Sequence, residues 1–76
     1  MNKDTRKHID DLLEQLETIK GEIEEIRDEE QEKFDNLNEN LQNSEKGEAF
    51  TTAIDNLDSA VGSIEEVTSY LEEAKG

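Results

Sequence analysis

Apolar residues recur along this chain at heptad spacing. Ile9, Leu12, Leu16, Ile19, Ile23 and Ile26 are separated by 3, 4, 3, 4 and 3 positions, which is the a/d seam of a coiled-coil helix. A second run, Phe50, Ala53, Leu57, Ala60, Ile64, Val67, Leu71 and Ala74, alternates 3 and 4 without a break. Two independent seams of this regularity predict two ordered helices, against the disorder that low hydrophobicity and high charge would otherwise suggest.

The spacing places one helix over about residues 4–37, with Asp4 or Thr5 able to cap it, and a second over about 44–74. Between them, Asp35 to Ser44 contains four Asn, whose side chains compete for backbone hydrogen bonds and favour a turn, here at about 38–43. Ser44 followed by Glu45 and Glu48 reads as a helix N-terminus, with a capping hydroxyl and acids facing the positive end of the helix dipole. Gly47 at the third position means that the full capping box is absent.

In an antiparallel hairpin, facing residues have position numbers with a constant sum. Ile9–Ala74, Leu12–Leu71, Leu16–Val67, Ile19–Ile64, Ile23–Ala60 and Ile26–Leu57 all sum to 83, which centres the turn between Leu41 and Gln42. The expected fold is therefore all-α: one domain over residues 1–76, an antiparallel two-helix hairpin of coiled-coil type. Ile facing Ala at two layers alternates large and small residues. Near the turn the same register sets Glu30 over Ala53 and Lys33 over Phe50. A stutter onto Phe34, Leu37 and Leu41 relieves this and clusters Phe34 and Leu41 with Phe50 and Ile54.

Leu13, Phe34, Ile54, Val61 and Tyr70 lie outside this seam. A lone hairpin of this size is marginal, so the surplus apolar face is expected to meet a partner. A second copy, giving a homodimeric four-helix bundle, is the first expectation; a face reserved for a different protein is the other.

Composition narrows the function classes. The 76 residues hold 22 Asp and Glu against 8 Lys and Arg, a net charge of −14 and a pI near 4.2. Such a balance is wrong for direct nucleic-acid binding, which needs phosphate contacts, and for adsorption to an anionic membrane. The longest apolar runs are two residues, so neither a membrane span nor an export signal is expected, which favours the cytoplasm. There is no Cys, and His8 is the sole His, lying beside Lys7 near the chain start, so no metal site, cofactor or nucleophilic triad is expected. A calcium loop starting at Asp35 fails, because Leu37 takes the third ligand position and Lys46 the place of the bidentate Glu. The sequence reads as a non-enzyme.

The acids are unevenly placed. From Glu22 to Asp35 there are eight acids against Arg27 and Lys33, a net of six negative charges. Asp10, Asp11, Glu14, Glu17, Glu24, Glu25, Asp28, Glu32 and Asp35 fall on outward positions of the first helix. Asp55, Asp58, Glu65, Glu66, Glu72 and Glu73 fall on the outer face of the second. Like charges three and four apart cost helix stability, so the excess has either a functional or a solubilising role, and both readings stand. Functionally, a long negative rod is steered towards basic nucleic-acid-binding clefts on another protein. Gly21 and Gly62, also summing to 83, fall on outward positions where each costs about 0.8–1 kcal/mol relative to Ala.

The segments Arg27-Asp-Glu-Glu-Gln-Glu-Lys-Phe-Asp-Asn-Leu, Asn40-Leu-Gln-Asn-Ser-Glu-Lys-Gly-Glu-Ala and Ala53-Ile-Asp-Asn-Leu-Asp-Ser-Ala resemble small acidic helical proteins of phages and prophages in Gram-positive bacteria. The resemblance covers about the last two-thirds of the chain and departs from the family pattern at Asn38, where relatives carry Pro. Its motifs are structural. It implies a phage protein acting in the host cytoplasm as an inhibitor of a host or defence protein, an anti-defence role. A structural or assembly protein that docks by its apolar face is the alternative.

Overall fold

The computed structural model describes all 76 residues, Met1–Gly76. Two long helices, α1 (Lys3–Asp35) and α3 (Glu45–Lys75), are joined through a single-turn helix, α2 (Glu39–Gln42). α1 and α3 pack along their length into an elongated hairpin with Cα extents of 58 × 15 × 11 Å. The two-helix hairpin expected from the heptads is the observed fold.

The helix ends are fixed by Asn rather than by the residues expected. Asn2, not Asp4 or Thr5, caps α1, its Oδ1 accepting from the Thr5 N–H at 2.8 Å. Asn38 caps α2 in the same way, accepting from the Leu41 N–H at 3.0 Å; an Asx side chain satisfies an otherwise orphaned N–H at both sites. Ser44 takes the N-cap position of α3, yet its hydroxyl turns back and donates to the Leu41 carbonyl instead of accepting from α3. Gln42 Nε2 donates to the Phe34 carbonyl at 3.1 Å, tying the connection to the last turn of α1.

Gly47 makes this connection possible. It is buried, and a Cβ there would lie 2.0 Å from the Gln42 carbonyl oxygen and 2.5 Å from its carbon. α2 therefore crosses the first turn of α3 backbone to backbone, a contact only Gly allows.

The seam is rotated relative to the expected one. Along α1 and just past its end the less exposed positions include Ile9, Leu13, Leu16, Lys20, Ile23, Arg27, Glu30, Phe34 and Leu37. Along α3 they include Gly47, Phe50, Ile54, Leu57, Val61, Ile64, Thr68, Leu71 and Lys75. Matched in antiparallel order, these positions sum to 84 throughout, so Ile23 is level with Val61 and Leu13 with Leu71. The turn stays where it was expected, at Gln42, and the heptad runs to Leu37 with no stutter. Leu41 is exposed and does not join the half-buried Phe34 and Phe50.

Rotation moves the core. Ile54 and Val61 are 8 % and 7 % exposed and, with Ile9, are the buried apolar side chains of the chain. Ile54 and Val61, together with the half-buried Leu13 and Phe34, therefore line the seam between α1 and α3 and are not a free docking surface. In their place Leu12, Ile19, Ile26 and Val67 are turned outward. Lys20 and Arg27 occupy seam positions because their aliphatic stems cover apolar neighbours while their charged ends leave the seam.

Candidate functional site

The rotated seam divides the hairpin into two unlike sides. Residues that directly follow a seam position, Asp10, Glu17 and Glu24 on α1 and Asp58, Glu65 and Glu72 on α3, border the seam on one flank. Residues that directly precede one border it on the other: Leu12, Ile19 and Ile26 on α1 and Ala53, Ala60, Val67 and Ala74 on α3, with Lys33 and Lys46 closing the row at the turn end. Like flanks meet because a two-fold axis perpendicular to the hairpin plane relates antiparallel helices. The pattern is thus acidic on one side and apolar on the other.

Ion pairs confirm the assignment of the acidic flank. Arg27 Nη1 meets Asp58 Oδ1 at 3.0 Å across the hairpin, and Lys75 Nζ meets Asp10 Oδ1 at 2.5 Å. Lys20 pairs with Glu17 at 3.5 Å within α1. All three bases are seam residues whose charged ends emerge on the acidic flank. Hydrogen bonding to Asp58, with a smaller contribution from Asp28, raises the Arg27 pKa despite the opposing desolvation. These pairs are solvent-exposed and each contributes little to stability; what they do is set which side is which.

The nine acids of α1 singled out above share this side. Asp10, Glu17 and Glu24 form the flank, Glu14, Asp28 and Asp35 the adjacent row, and Asp11, Glu25 and Glu32 the outer edge. At about 100° per residue these three rows span about 100° of the helix surface. Eight of the nine are exposed and Glu24 is half-buried. Asp10, Glu17 and Asp28 are engaged with bases, and Asp35 accepts from Gln31 Nε2 at 3.0 Å. Asp11, Glu14, Glu24, Glu25 and Glu32 have no side-chain partner within the chain.

α3 repeats the arrangement. Its eight acids, Glu45, Glu48, Asp55, Asp58, Glu65, Glu66, Glu72 and Glu73, all occupy the same three heptad rows. With Asp4, which shares the row of Asp11, eighteen of the 22 acids thus lie on one broad side and its edges. Glu30, a seam residue, is held by Lys33 at 3.0 Å on the opposite flank near the turn.

Of the apolar residues proposed for docking, Tyr70 alone is fully outward, at 70 % exposure, beside the apolar flank. Spacing hid Leu12, Ile19, Ile26 and Val67 by assigning them to the core. No group of three or more His, Cys, Asp or Glu is placed to hold a metal ion, and no helix is long and apolar enough to cross a membrane. The shallow grooves are open to solvent; the largest is lined by Gly62, Glu65, Glu66, Ser69, Tyr70 and Glu73. No family model, curated protein or solved structure matches the chain.

Proposed function

We propose that this chain is a small acidic binding protein whose negative side occupies a basic, nucleic-acid-binding surface of another protein and so blocks it. The observation that carries this reading is the segregation of acids: eighteen on one side, in rows along both helices. Charges added for solubility alone need not be sorted by side. A field of one sign raises association rates with an oppositely charged cleft. The resemblance to small acidic phage and prophage proteins supplies the setting, a host or defence protein as target in the host cytoplasm. The competing reading, an assembly protein that docks by its apolar side, is favoured by the outward Leu12, Ile19, Ile26 and Val67.

Neutralising Glu24, Glu25, Asp28 and Glu32 to Gln tests the first reading, because Gln and Glu have similar helix propensity. The hairpin should keep its helicity. Capture of target proteins from a Gram-positive lysate should slow in association and lose most of its salt dependence. Capture that is as fast and as salt-sensitive as that of the parent would sink the acidic-decoy reading.

A further inference from the structure

The apolar flank has a composition and a shape that select its occupant. Ile19, Ile26 and Val67 are 45 %, 48 % and 44 % exposed in the hairpin. These residues sit in a row that also holds Leu12 on α1 and Ala60 and Ala74 on α3. The nearest neighbours across this flank sum to 86, so Leu12 lies beside Ala74, Ile19 beside Val67 and Ile26 beside Ala60. The α1 side of the face is built from large residues and the α3 side largely from small ones.

We infer that a second copy of this chain covers this face, with α1 of each hairpin lying on α3 of the other and both turns at the same end. A two-fold axis parallel to the helices keeps every residue at its level and exchanges the helices. Leu12, Ile19 and Ile26 of one copy then rest on Ala74, Val67 and Ala60 of its mate. Large residues meet smaller ones at each layer, as interdigitated packing requires. The opposite arrangement, with turns at opposite ends, sets the large side on the large side and the small on the small, which leaves one layer crowded and the other gapped.

Charge makes the same selection. A chain of net charge −14 repels its own copy unless the acids avoid the contact. None of the α3 acids lies on this flank. Glu22 and Glu29 of α1 border it, and in the proposed arrangement they come over Ser63 and Asn56, which are uncharged; Lys33 and Lys46 lie at its turn end, Lys33 paired with Glu30 of its own chain. A strongly basic partner would find no carboxylate row here to pair with. The extent is also sufficient: Ala53 to Ala74 spans about 33 Å at 1.5 Å per residue. Across the 15 Å width this is about 500 Å² per copy, or about 1,000 Å² for two, the lower bound of a specific interface. The acidic sides of both copies are left facing outward.

The test is independent of the acidic-side reading, because the four-Gln variant should dimerise like the parent. Sedimentation equilibrium of the full chain should report twice the monomer mass, and the melting temperature should rise with protein concentration. Ile19→Glu combined with Ile26→Glu should retain helicity and give monomer, since both side chains are outward in the single hairpin. A spin label at Asn40→Cys should give an intermolecular distance within about 20 Å, two interhelix spacings. A monomer with concentration-independent melting overturns the proposal whether or not the double variant folds. A dimer whose labels lie about as far apart as the 58 Å length of the hairpin overturns the arrangement.

Discussion

Val61→Asp should unfold the hairpin. Val61 is the least exposed apolar side chain of the chain, at 7 %, and is level with Ile23 in the seam. A carboxylate there has no unengaged base beside it; Lys20 and Arg27, each about one turn away along α1, are already paired, Lys20 with Glu17 and Arg27 with Asp58 and Asp28. An uncompensated buried charge costs about 3–5 kcal/mol. Total stability at 0.05–0.15 kcal/mol per residue is about 4–11 kcal/mol for a chain this long, and a thin two-helix core belongs at the low end. Circular dichroism should therefore show loss of most helicity at room temperature. Ile26→Asp, a seam substitution in the register that sums to 83, should cost clearly less, because Ile26 is outward within the hairpin. Equal damage from the two substitutions would count against the rotated seam.

Gly47→Ala should be destabilising although Ala is the better helix former. In a helix interior the exchange gains about 0.8–1 kcal/mol. At Gly47 the added methyl would meet the Gln42 backbone at 2.0 Å, and backbone cannot step aside as a side-chain tip can. Relief requires α2 to lift from α3, which strains the Gln42–Phe34 and Ser44–Leu41 hydrogen bonds. A net loss of about 2–3 kcal/mol, typical of overpacking at a close contact, lowers the melting temperature by about 10–20 °C in a domain of this size. Gly21→Ala and Gly62→Ala provide the contrast. Both positions are open, with no atom within 4 Å of the added Cβ, so each should raise the melting temperature by about 4–8 °C. Thermal melts of the three variants check the opposite signs.

The hairpin and its turn were legible because they rest on period and on Asn chemistry, both local. The rotation of the helices was not. Two heptad stripes share Ile9, Leu16 and Ile23 on α1, and two share Phe50, Leu57, Ile64 and Leu71 on α3. On α1 the stripe through Leu12, Ile19 and Ile26 is the more apolar; on α3 the stripe through Ile54 and Val61 is bulkier than that through Ala53 and Ala60. Spacing cannot choose between them. Packing follows α3, which is tolerable on α1 only because Lys20 and Arg27 bury stems and send their charges to Glu17 and Asp58. Following the unbroken apolar stripe through Leu12, Ile19 and Ile26, and through Ala53 and Ala60, is what placed Leu13, Phe34, Ile54 and Val61 outside the seam. The same chemistry explains why no stutter is needed near the turn, since the rotated seam reaches Phe34 and Leu37 in unbroken heptad phase.

The acidic side was legible as composition and as an outer face on each helix. That α3 adds its eight acids to the same side, and that the opposite flank is apolar, depended on the rotation and so could not be read from spacing. The role of Gly47 was likewise hidden, because the close approach comes from Gln42, whose position depends on how α2 folds back.

The division into an acidic and an apolar side stands on the seam, and methyl and aromatic NOE measurements filtered to contacts within one chain test it most directly. The account predicts cross-peaks between Leu13 and Leu71, between Ile23 and Val61, and between Phe34 and Phe50. Cross-peaks pairing Leu12 with Leu71 and Ile26 with Leu57 in their place would contradict it.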